Sequence, residues 1–245
     1  MKFSVIICTN NSEKSISKTL NSLINQNYSN FEIIIIDNLS NDNTLGIISK
    51  FNFKKAKIIS ERDNGIYYAI NKSFSYISGD IVFLLHSDDQ LYDNQVFSKI
   101  YNIFKKNSID VIYGNIKYVS KNNTTFRNWR SGKFHKHNLK KGWMPPHTSL
   151  FIKRDYLLGL GKYDTNYSIS SDYDYMLRFL TDPNLKIFYC DHYLIKMMTG
   201  GMSNNSIKNI LKKSLEDYRI IKKHNLEGFR TLFYKNFSKI KQFLV

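Results

Sequence analysis

The sequence predicts an α/β fold in which a mainly parallel sheet is flanked by helices. Short, continuous apolar runs such as FSVIIC (Phe3 to Cys8) and FEIIIID are typical of strands buried on both faces of a parallel sheet. Segments with apolar residues at helical spacing separate these runs, and this alternation predicts βαβ units with right-handed crossovers. With 42% hydrophobic and 15% aromatic residues, the 245-residue chain can bury a substantial core.

The predicted elements follow one another regularly along the first part of the chain. The strand FSVIIC leads into a helix within SEKSISKTLNSLINQ, for which Ser12 is a candidate N-cap. The second strand, FEIIIIDN, is followed by a helix in SNDNTLGIISKF, and AKIISE is the third strand. A third helix in GIYYAINKSFSYI then leads to a fourth strand, GDIVFLLHSDD.

Polar and acidic residues follow each of these four strands. In open α/β sheets, ligands bind at the carboxyl ends of the strands, which meet at one edge. The sequence therefore predicts a binding site at this edge, formed by Thr9, Asn10, Asp37, Asn38, Glu61 to Gly65, Asp88 and Asp89.

The stretch FLLHSDDQLY sets two aspartates side by side directly after the fourth strand. There is no GxGxxG after the first strand and no GxxxxGK[ST] motif, so a bound nucleotide would need another counter-charge for its phosphates. A carboxylate-held Mg²⁺ or Mn²⁺ supplies one. We therefore predict a divalent-metal site at these aspartates, and an ordinary polar turn is the alternative.

The formal net charge is +16, and this charge admits more than one kind of partner. Nucleic acid is one, but the acidic residues sit at the strand ends while the lysines are scattered or gathered near the C-terminus. Anionic lipid headgroups and phosphorylated small molecules account for the charge equally well. We predict no nucleic-acid partner, and a nucleic-acid-binding protein remains the alternative from a different functional class.

Two cysteines, Cys8 and Cys190, lack CxxC spacing and form no disulfide framework, which fits a reducing cytoplasm. The apolar start of the chain is too short for a signal peptide, and no run approaches the roughly 20 apolar residues of a membrane span. We therefore expect a cytoplasmic protein, soluble or peripherally bound to the inner face of the cell membrane.

The chain divides into a main domain, residues 1–205, and a basic helical C-terminal extension, residues 206–245. The extension contains ten Lys or Arg and three Asp or Glu residues, with apolar residues interleaved. A basic amphipathic helix of this kind can lie on an anionic membrane surface. A helix packed on the main domain is the alternative.

Several of these segments, taken in order, resemble family 2 glycosyltransferases of the GT-A fold, in a subgroup that builds bacterial polysaccharides. SVIICTNN resembles the opening strand of that family, and FEIIIIDNLSNDNT resembles its second-strand segment. SERDNGIYYAINKSFSYISGDIVFLLHSDDQLY is close to the block that ends in two aspartates, and MPPHTSLFIKRDYLLGLGKYDTNYSISSDYDYMLRFL resembles the acceptor-side block. The match covers about residues 3–205.

The resemblance implies a role for each matching residue on the donor side. Asn38 stands where many members have an aspartate, so an amide oxygen would replace a carboxylate that accepts the uracil N–H. The implied donor-side roles are the base pocket for Thr9 and Asn10, the base or ribose for Asp37, contact with the donor for Arg62 and Asp63, the ribose or sugar for Asp88, and the metal for Asp89.

On the acceptor side, the resemblance implies that Asp172 is the general base, with Asp174 and Arg178 supporting it. His147 would contact the diphosphate or the acceptor. We expect Asp172 in a polar loop just before a helix. A charge that interacts with the helix dipole is the alternative role for this aspartate.

The implied activity is transfer of a hexosyl or N-acetylhexosaminyl group from a nucleotide-diphospho-sugar to a glycan or polyprenyl-diphosphate-linked acceptor. The reaction would be metal-dependent and inverting, and would serve assembly of a capsule, an O-antigen or an exopolysaccharide. An inactive, sugar-binding relative is a further alternative.

Overall fold

The computed structural model describes residues 1–120, 124–198 and 207–238. Within these ranges the strands are β1 (Phe3–Thr9), β2 (Phe31–Asp37), β3 (Ala56–Ser60), β4 (Ile81–Leu84), β5 (Gln90–Leu91), β6 (Val111–Val119), β7 (Thr125–Trp129), β8 (Phe151–Lys153) and β9 (Ile187–Met198). The helices are α1 (Ile16–Ile24), α2 (Thr44–Ser49), α3 (Ile66–Ser73), α4 (Val96–Lys106), α5 (Arg154–Gly159), α6 (Ser171–Leu180), α7 (Ile207–Lys223) and α8 (Phe229–Ser238). Two 3₁₀ turns span Lys136–Lys141 and His147–Ser149.

The first four strands form the parallel sheet that the sequence predicts, in the order β3-β2-β1-β4. Thr9, the last residue of β1, pairs with Asp37, the last residue of β2, which in turn pairs with Ser60. The carboxyl ends of these strands therefore lie along one edge. We call the residues that follow β1 to β4 at this edge the donor edge.

Beyond β4 the sheet becomes mixed. β8 is antiparallel to β4 and β6, whereas β9 is parallel to β6, and β5 and β7 add antiparallel pairs. The sequence analysis did not predict this part. It matters for the site because antiparallel β8 begins where β4 ends: Phe151 pairs with Phe83. The turn His147–Ser149 is thereby placed at the donor edge.

The two faces of the sheet carry separate hydrophobic clusters. Phe3, Val5 and Ile7 of β1 belong to one cluster, and Ile6 and Cys8 belong to the other, because side chains alternate along a strand. The first cluster includes apolar residues of α1 and α4, and the second includes residues of α3 and α6. Cys8 is buried, as its place in a strand predicts.

The start of α1 differs from the prediction. The N-cap position is Ser15, not Ser12, and Ser15 makes no side-chain cap hydrogen bond. The Ser12 hydroxyl lies 2.9 Å from the hydroxyl of Ser87. The physical reason is that this contact with the loop after β4 takes the side-chain oxygen that would otherwise cap the helix.

The C-terminal helices pack on the rest of the molecule. The Thr231 hydroxyl of α8 donates to the carbonyl of Lys140 (2.9 Å), and Gly142 approaches Lys235 so closely that a Cβ there would lie 2.5 Å from that side chain. In residues 1–120, 124–198 and 207–238, no helix has the length and hydropathy needed to cross a membrane. The predicted boundary near residue 205 and the segment GGMSNN lie outside the described residues.

Candidate active site

Asp37 is buried beneath the donor edge. Its carboxylate accepts hydrogen bonds from the Ser40 backbone N–H (3.0 Å), from the Ser40 hydroxyl and from the Ser60 hydroxyl (2.7 Å). Asp37 thus ties the end of β2 to the end of β3 and shapes the loop after β2. The predicted contact of Asp37 with the base or ribose stays a prediction.

Asn38 connects the ends of β1 and β3. Its backbone N–H donates to the carbonyl of Thr9 (2.9 Å), and its carbonyl accepts from the Asn10 amide (2.7 Å). Its side-chain oxygen accepts from the backbone N–H of Asp63 (2.7 Å). The structure therefore brings together four of the predicted donor-side residues, and the amide that replaces a carboxylate is engaged in holding them.

The segment after β3 carries a compact charge cluster. Lys72 of α3 lies 2.6 Å from carboxylate oxygens of both Asp63 and Glu61. The Asp63 side chain is almost fully buried, whereas Arg62 is exposed. The exposed Arg62 can thus reach a ligand in the solvent, whereas Asp63 is paired with Lys72.

Asp88 and Asp89 follow β4 in a tight turn, closed by a hydrogen bond from the Asp89 N–H to the carbonyl of His86 (3.1 Å). Asp89 is only 1% exposed. One of its oxygens accepts from the Met198 N–H (3.2 Å), and the other has no hydrogen-bond partner among the residues that the structure describes. Burial and the neighbouring Asp88 raise the pKa of Asp89 well above its usual value, and burial also raises the pKa of Asp88.

These two carboxylates fit a divalent cation. A buried carboxylate oxygen without a partner is costly, and an arriving cation removes that cost. Mg²⁺ and Mn²⁺ need only one or two carboxylates when substrate phosphates complete the coordination. Within the described part of the chain, no group of three or more His, Cys, Asp or Glu side chains is arranged to hold a metal by itself.

Asp172 lies in the first turn of α6, not in the loop before it as expected, because the helix already begins at Ser171, one residue before Asp172. Its side chain is 22% exposed and so can be reached by a substrate. The Tyr67 hydroxyl lies 3.2 Å from one carboxylate oxygen, and the Nδ1 atom of His147 lies 3.3 Å from the other. Burial keeps the pKa of Tyr67 above its usual value, so the hydroxyl stays protonated and can donate.

Two histidines connect Asp172 to the donor edge. The Nε2 atoms of His86 and His147 are 3.1 Å apart, so one must donate and the other accept. Because Nδ1 of His147 faces the carboxylate of Asp172, a proton on Nδ1 can be donated to that carboxylate. Burial and the presence of His147 lower the pKa of His86 to about 3, which keeps His86 neutral at ordinary pH.

Asp174 and Arg178 do not contact Asp172 through any hydrogen bond or ion pair seen in residues 1–120, 124–198 and 207–238. Asp174 is fully buried, and its carboxylate oxygens lie 3.0 to 3.2 Å from side-chain nitrogens of Arg178, Lys223 and His224. Burial acts to raise its pKa, but the hydrogen bonds from His224 and Lys223 prevail and lower it. Asp174 thus joins α6 to the end of α7.

Sequence reasoning missed Tyr67 and Lys72 as site residues. Both lie in the quoted segment GIYYAINK, where Tyr67 occupies a buried position on the helix, so the pattern predicts a core aromatic. His86 lies in the quoted segment FLLHSDDQLY, and its side chain contacts His147. The sequence contains no signal for these contacts, because they join α3, the turn after β4 and the turn before β8, which are far apart along the chain.

Comparison with known proteins identifies the family of the chain. A model of the family described as "Glycosyl transferase family 2" matches residues 4–158. The chain is 29% identical over 218 residues to a "PGL/p-HBAD biosynthesis glycosyltransferase" of Mycobacterium bovis (strain BCG / Pasteur 1173P2), covering 86% of this chain and 83% of that one. It is 26% identical over 215 residues to the Escherichia coli protein "UDP-Glc:alpha-D-GlcNAc-diphosphoundecaprenol beta-1,3-glucosyltransferase WfgD", with the same coverage of 86% and 83%.

The fold has counterparts among solved structures. The crystal structure of S. aureus TarS 1-349 in complex with UDP-GlcNAc superposes with a TM-score of 0.68 at 21% identity, covering 97% of this chain and 73% of that one. At this identity the likeness bears on the fold, and it confirms the predicted GT-A architecture. The matched family region contains β1 to β4, the donor edge and His147. The chain therefore belongs to glycosyltransferase family 2 and is a glycosyltransferase of the GT-A fold.

Proposed function

We propose that the protein transfers a hexosyl or N-acetylhexosaminyl group from a nucleotide-diphospho-sugar to a glycan or polyprenyl-diphosphate-linked acceptor during assembly of a surface polysaccharide. Two similarities support this choice of substrates. WfgD is named for a UDP-glucose donor and a diphosphoundecaprenol-linked acceptor, and the TarS structure contains UDP-GlcNAc. A capsule, an O-antigen or an exopolysaccharide would be the product.

The contact between His86 and His147 carries the proposal. Through this contact, His86 in the turn with Asp88 and Asp89 is linked by His147 to the carboxylate of Asp172. A glycosyl transfer that inverts the anomeric carbon needs a stabilised leaving group and a base on the opposite side of the sugar. The two carboxylate centres of this site, one buried and one reachable, match those two requirements.

On the donor side, Asp89 would hold Mn²⁺ or Mg²⁺, and Asp88 would contact the ribose or the sugar. When bound, the ion would supply positive charge to the departing nucleoside diphosphate. Thr9, Asn10 and the amide of Asn38 would line the base pocket. Asp37 and Asp63 would shape this pocket near the base and the ribose, and Arg62 would reach the donor from the solvent side.

On the acceptor side, Asp172 would take the proton of the attacking hydroxyl. The hydroxyl oxygen forms a bond to the anomeric carbon as the bond from that carbon to the diphosphate breaks. General-base catalysis of this kind contributes about 10²- to 10⁴-fold. The Tyr67 hydroxyl and the Nδ1–H of His147 would orient the carboxylate, and the outer face of His147 would contact the diphosphate or the acceptor.

Assays with purified protein test this proposal. UDP-glucose, UDP-GlcNAc and the corresponding GDP, CMP and dTDP sugars are supplied with MnCl₂, with or without α-D-GlcNAc-diphosphoundecaprenol, and the release of nucleotide and the glycosylated lipid are measured. We expect Asp89→Ala to lower the rate about 10²- to 10³-fold and Asp172→Asn to lower it about 10²- to 10⁴-fold. Asp155→Asn is the control, because that carboxylate is 91% exposed and follows Lys153, which pairs with the start of β4, away from the donor edge.

Full activity in both variants would refute the proposed roles. An inactive wild-type protein that still binds one of the nucleotide sugars would favour the alternative of a sugar-binding relative. Affinity for nucleic acid that falls steeply with salt and ignores Asp89→Ala would favour the nucleic-acid alternative.

The C-terminal helices offer a surface suited to an anionic membrane. Five apolar side chains of α7 and α8 are more than half exposed, and exposed basic residues of the same helices lie between them. The apolar side chains are Leu211, Leu215, Phe229, Phe233 and Phe237, and the basic ones are Lys208, Lys212, Arg219 and Arg230. Aromatic groups that enter the headgroup region, together with positive charge, favour anionic lipid as the occupant. This surface would place the enzyme on the inner face of the cell membrane.

Vesicle sedimentation tests the membrane contact. We expect Phe233→Ser/Phe237→Ser to reduce binding to vesicles that contain phosphatidylglycerol, and Phe188→Ser, at an exposed aromatic of β9, to leave it unchanged. Equal binding to neutral phosphatidylcholine vesicles would contradict the proposal. A dimer that the double variant abolishes would also contradict it, because a second copy would then be the occupant.

A further inference from the structure

The loop before α6 presents a row of backbone donors to one buried carboxylate. The N–H groups of Ile169 and Ser170 each donate to one oxygen of Glu216 at 2.9 Å. The N–H and the hydroxyl of Ser168 each donate to its other oxygen at 3.1 Å. Glu216 lies on α7 and is 4% exposed, so these are charge-assisted hydrogen bonds away from solvent.

This carboxylate holds the chain directly before α6. Ser170 is the N-cap residue of that helix but makes no side-chain cap hydrogen bond. The N-terminus of a helix favours negative charge, and here Glu216 provides it from another element of the fold. The conformation of residues 168–170 therefore depends on α7 more than on the loop itself.

The same loop fixes the position of Asp172. The carbonyl of Ile169 accepts a hydrogen bond from the Tyr67 hydroxyl (2.8 Å), and that hydroxyl also lies 3.2 Å from Asp172. Asp172 follows Ser170 by two residues. The loop is thus held by Glu216 on one side and by Tyr67 on the other, and Asp172 lies in the first turn of the helix that directly follows it.

We propose that Glu216 is a positioning residue for the general base, so that α7 determines the geometry of the active site. This inference rests on the proposed role of Asp172. Glu216 does not touch Asp172 itself, and it acts through the backbone of residues 168–170. A positioning role predicts a lower kcat with an unchanged KM for the donor, whereas a purely structural role does not predict this combination.

The experiment compares Glu216→Gln with Thr231→Val. Both variants weaken the packing of the C-terminal helices, but Thr231 bonds to the carbonyl of Lys140 and not to the loop. Nucleotide release from the donor of the panel that turns over fastest is measured well below both melting temperatures. We expect Glu216→Gln to lower kcat about 10-fold or more with an unchanged KM for the donor, and Thr231→Val to preserve kcat. An equal kcat in the two variants would overturn the inference.

A double-mutant cycle separates this inference from the proposed function. If Glu216 acts through Asp172, Glu216→Gln has no further effect in the Asp172→Asn background. Full activity of Asp172→Asn alone would remove the proposed base, whereas an inactive Asp172→Asn beside a fully active Glu216→Gln would remove only the positioning role. If Glu216→Gln does not fold, Ser168→Ala, which deletes only the hydroxyl donor, is expected to lower kcat about two-fold, and an unchanged kcat would overturn the inference.

Discussion

The donor edge and the contact between α6 and the C-terminal helices both bury carboxylates, but the two regions differ in the partners of these carboxylates and in the direction of their pKa shifts. At the donor edge, Asp89 keeps one oxygen without a hydrogen-bond partner, and burial raises its pKa. At the C-terminal contact, Asp174 meets two cationic side chains, Arg178 and Lys223, together with His224, and its pKa is lowered despite burial. Glu216 likewise accepts hydrogen bonds at both oxygens.

This difference indicates that one group of buried carboxylates stabilises the fold and that the other is available to a ligand. A buried carboxylate with cations or N–H groups around it holds elements of the fold together. A buried carboxylate without them lowers stability until something else supplies positive charge. Changes at the C-terminal contact should therefore affect folding first, and changes at the donor edge should affect the response to ligands.

The largest expected effect on stability is at Lys235. Its ammonium lies 2.7 Å from Asp217, and the two side chains are 3% and 2% exposed. We expect Lys235→Met to lower the free energy of unfolding by about 3–5 kcal/mol, because it leaves Asp217 buried without its cation. Denaturant unfolding measures this, and the double variant Lys235→Met/Asp217→Leu should recover most of the loss. A loss below about 1 kcal/mol would show that the pair is not needed for folding.

The second-largest expected difference between the two regions is in how much a bound ligand stabilises the protein. With UDP and MnCl₂ at 100 times their dissociation constant, binding stabilises the native protein by about 2.7 kcal/mol. We expect this gain, measured as a rise in melting temperature, in the wild type and in Asp174→Asn. Asp89→Asn should lose most of it. A rise of equal size in Asp89→Asn would place the cation elsewhere.

Asp174→Asn should have a smaller effect that depends on pH. We expect a loss of about 1–3 kcal/mol at pH 7, a range that allows for the partial exposure of Lys223. The folded-state pKa of Asp174 lies below its unfolded value, so its contribution is complete above about pH 4 and is lost as the pH falls through the folded-state pKa. Melting curves between pH 7 and pH 3 should therefore converge for wild type and variant. A gap that stays constant with pH would contradict this assignment.

The smallest effect is expected on the exposed face of α8. Phe233→Ser should change the free energy of unfolding by no more than about 0.5 kcal/mol, because the ring is more than half exposed. Denaturant unfolding checks this beside the vesicle measurements. A loss of several kcal/mol would mean that the ring is part of the packing and not of a membrane contact.

The sequence predicted the parallel half of the sheet well, since each strand there is a continuous apolar run ending in polar residues. The same argument located the donor edge, and Thr9, Asn10, Asn38 and Asp63 do lie together. The antiparallel half was not predicted, because β5 and β8 have only two and three residues and show no periodicity. Strand pairing of such short segments is decided by tertiary packing.

Contacts that join distant segments were the part that the sequence could not supply. Asp172 was found as a candidate, but its partners Tyr67 and His147 come from two other elements. Asp174 was expected to support Asp172, and instead it binds the end of α7. The position of an aspartate in a helix does not reveal which cations meet it in the folded chain.

The position of Glu216 late in the chain has a consequence for synthesis of the protein on the ribosome. It lies 48 residues after Ser168, so β1 to β8 and the turn with Asp88 and Asp89 leave the ribosome before the carboxylate that holds the loop preceding α6. On the proposed positioning role, a nascent chain could bind donor without consuming it, and turnover would start only once α7 had emerged and docked.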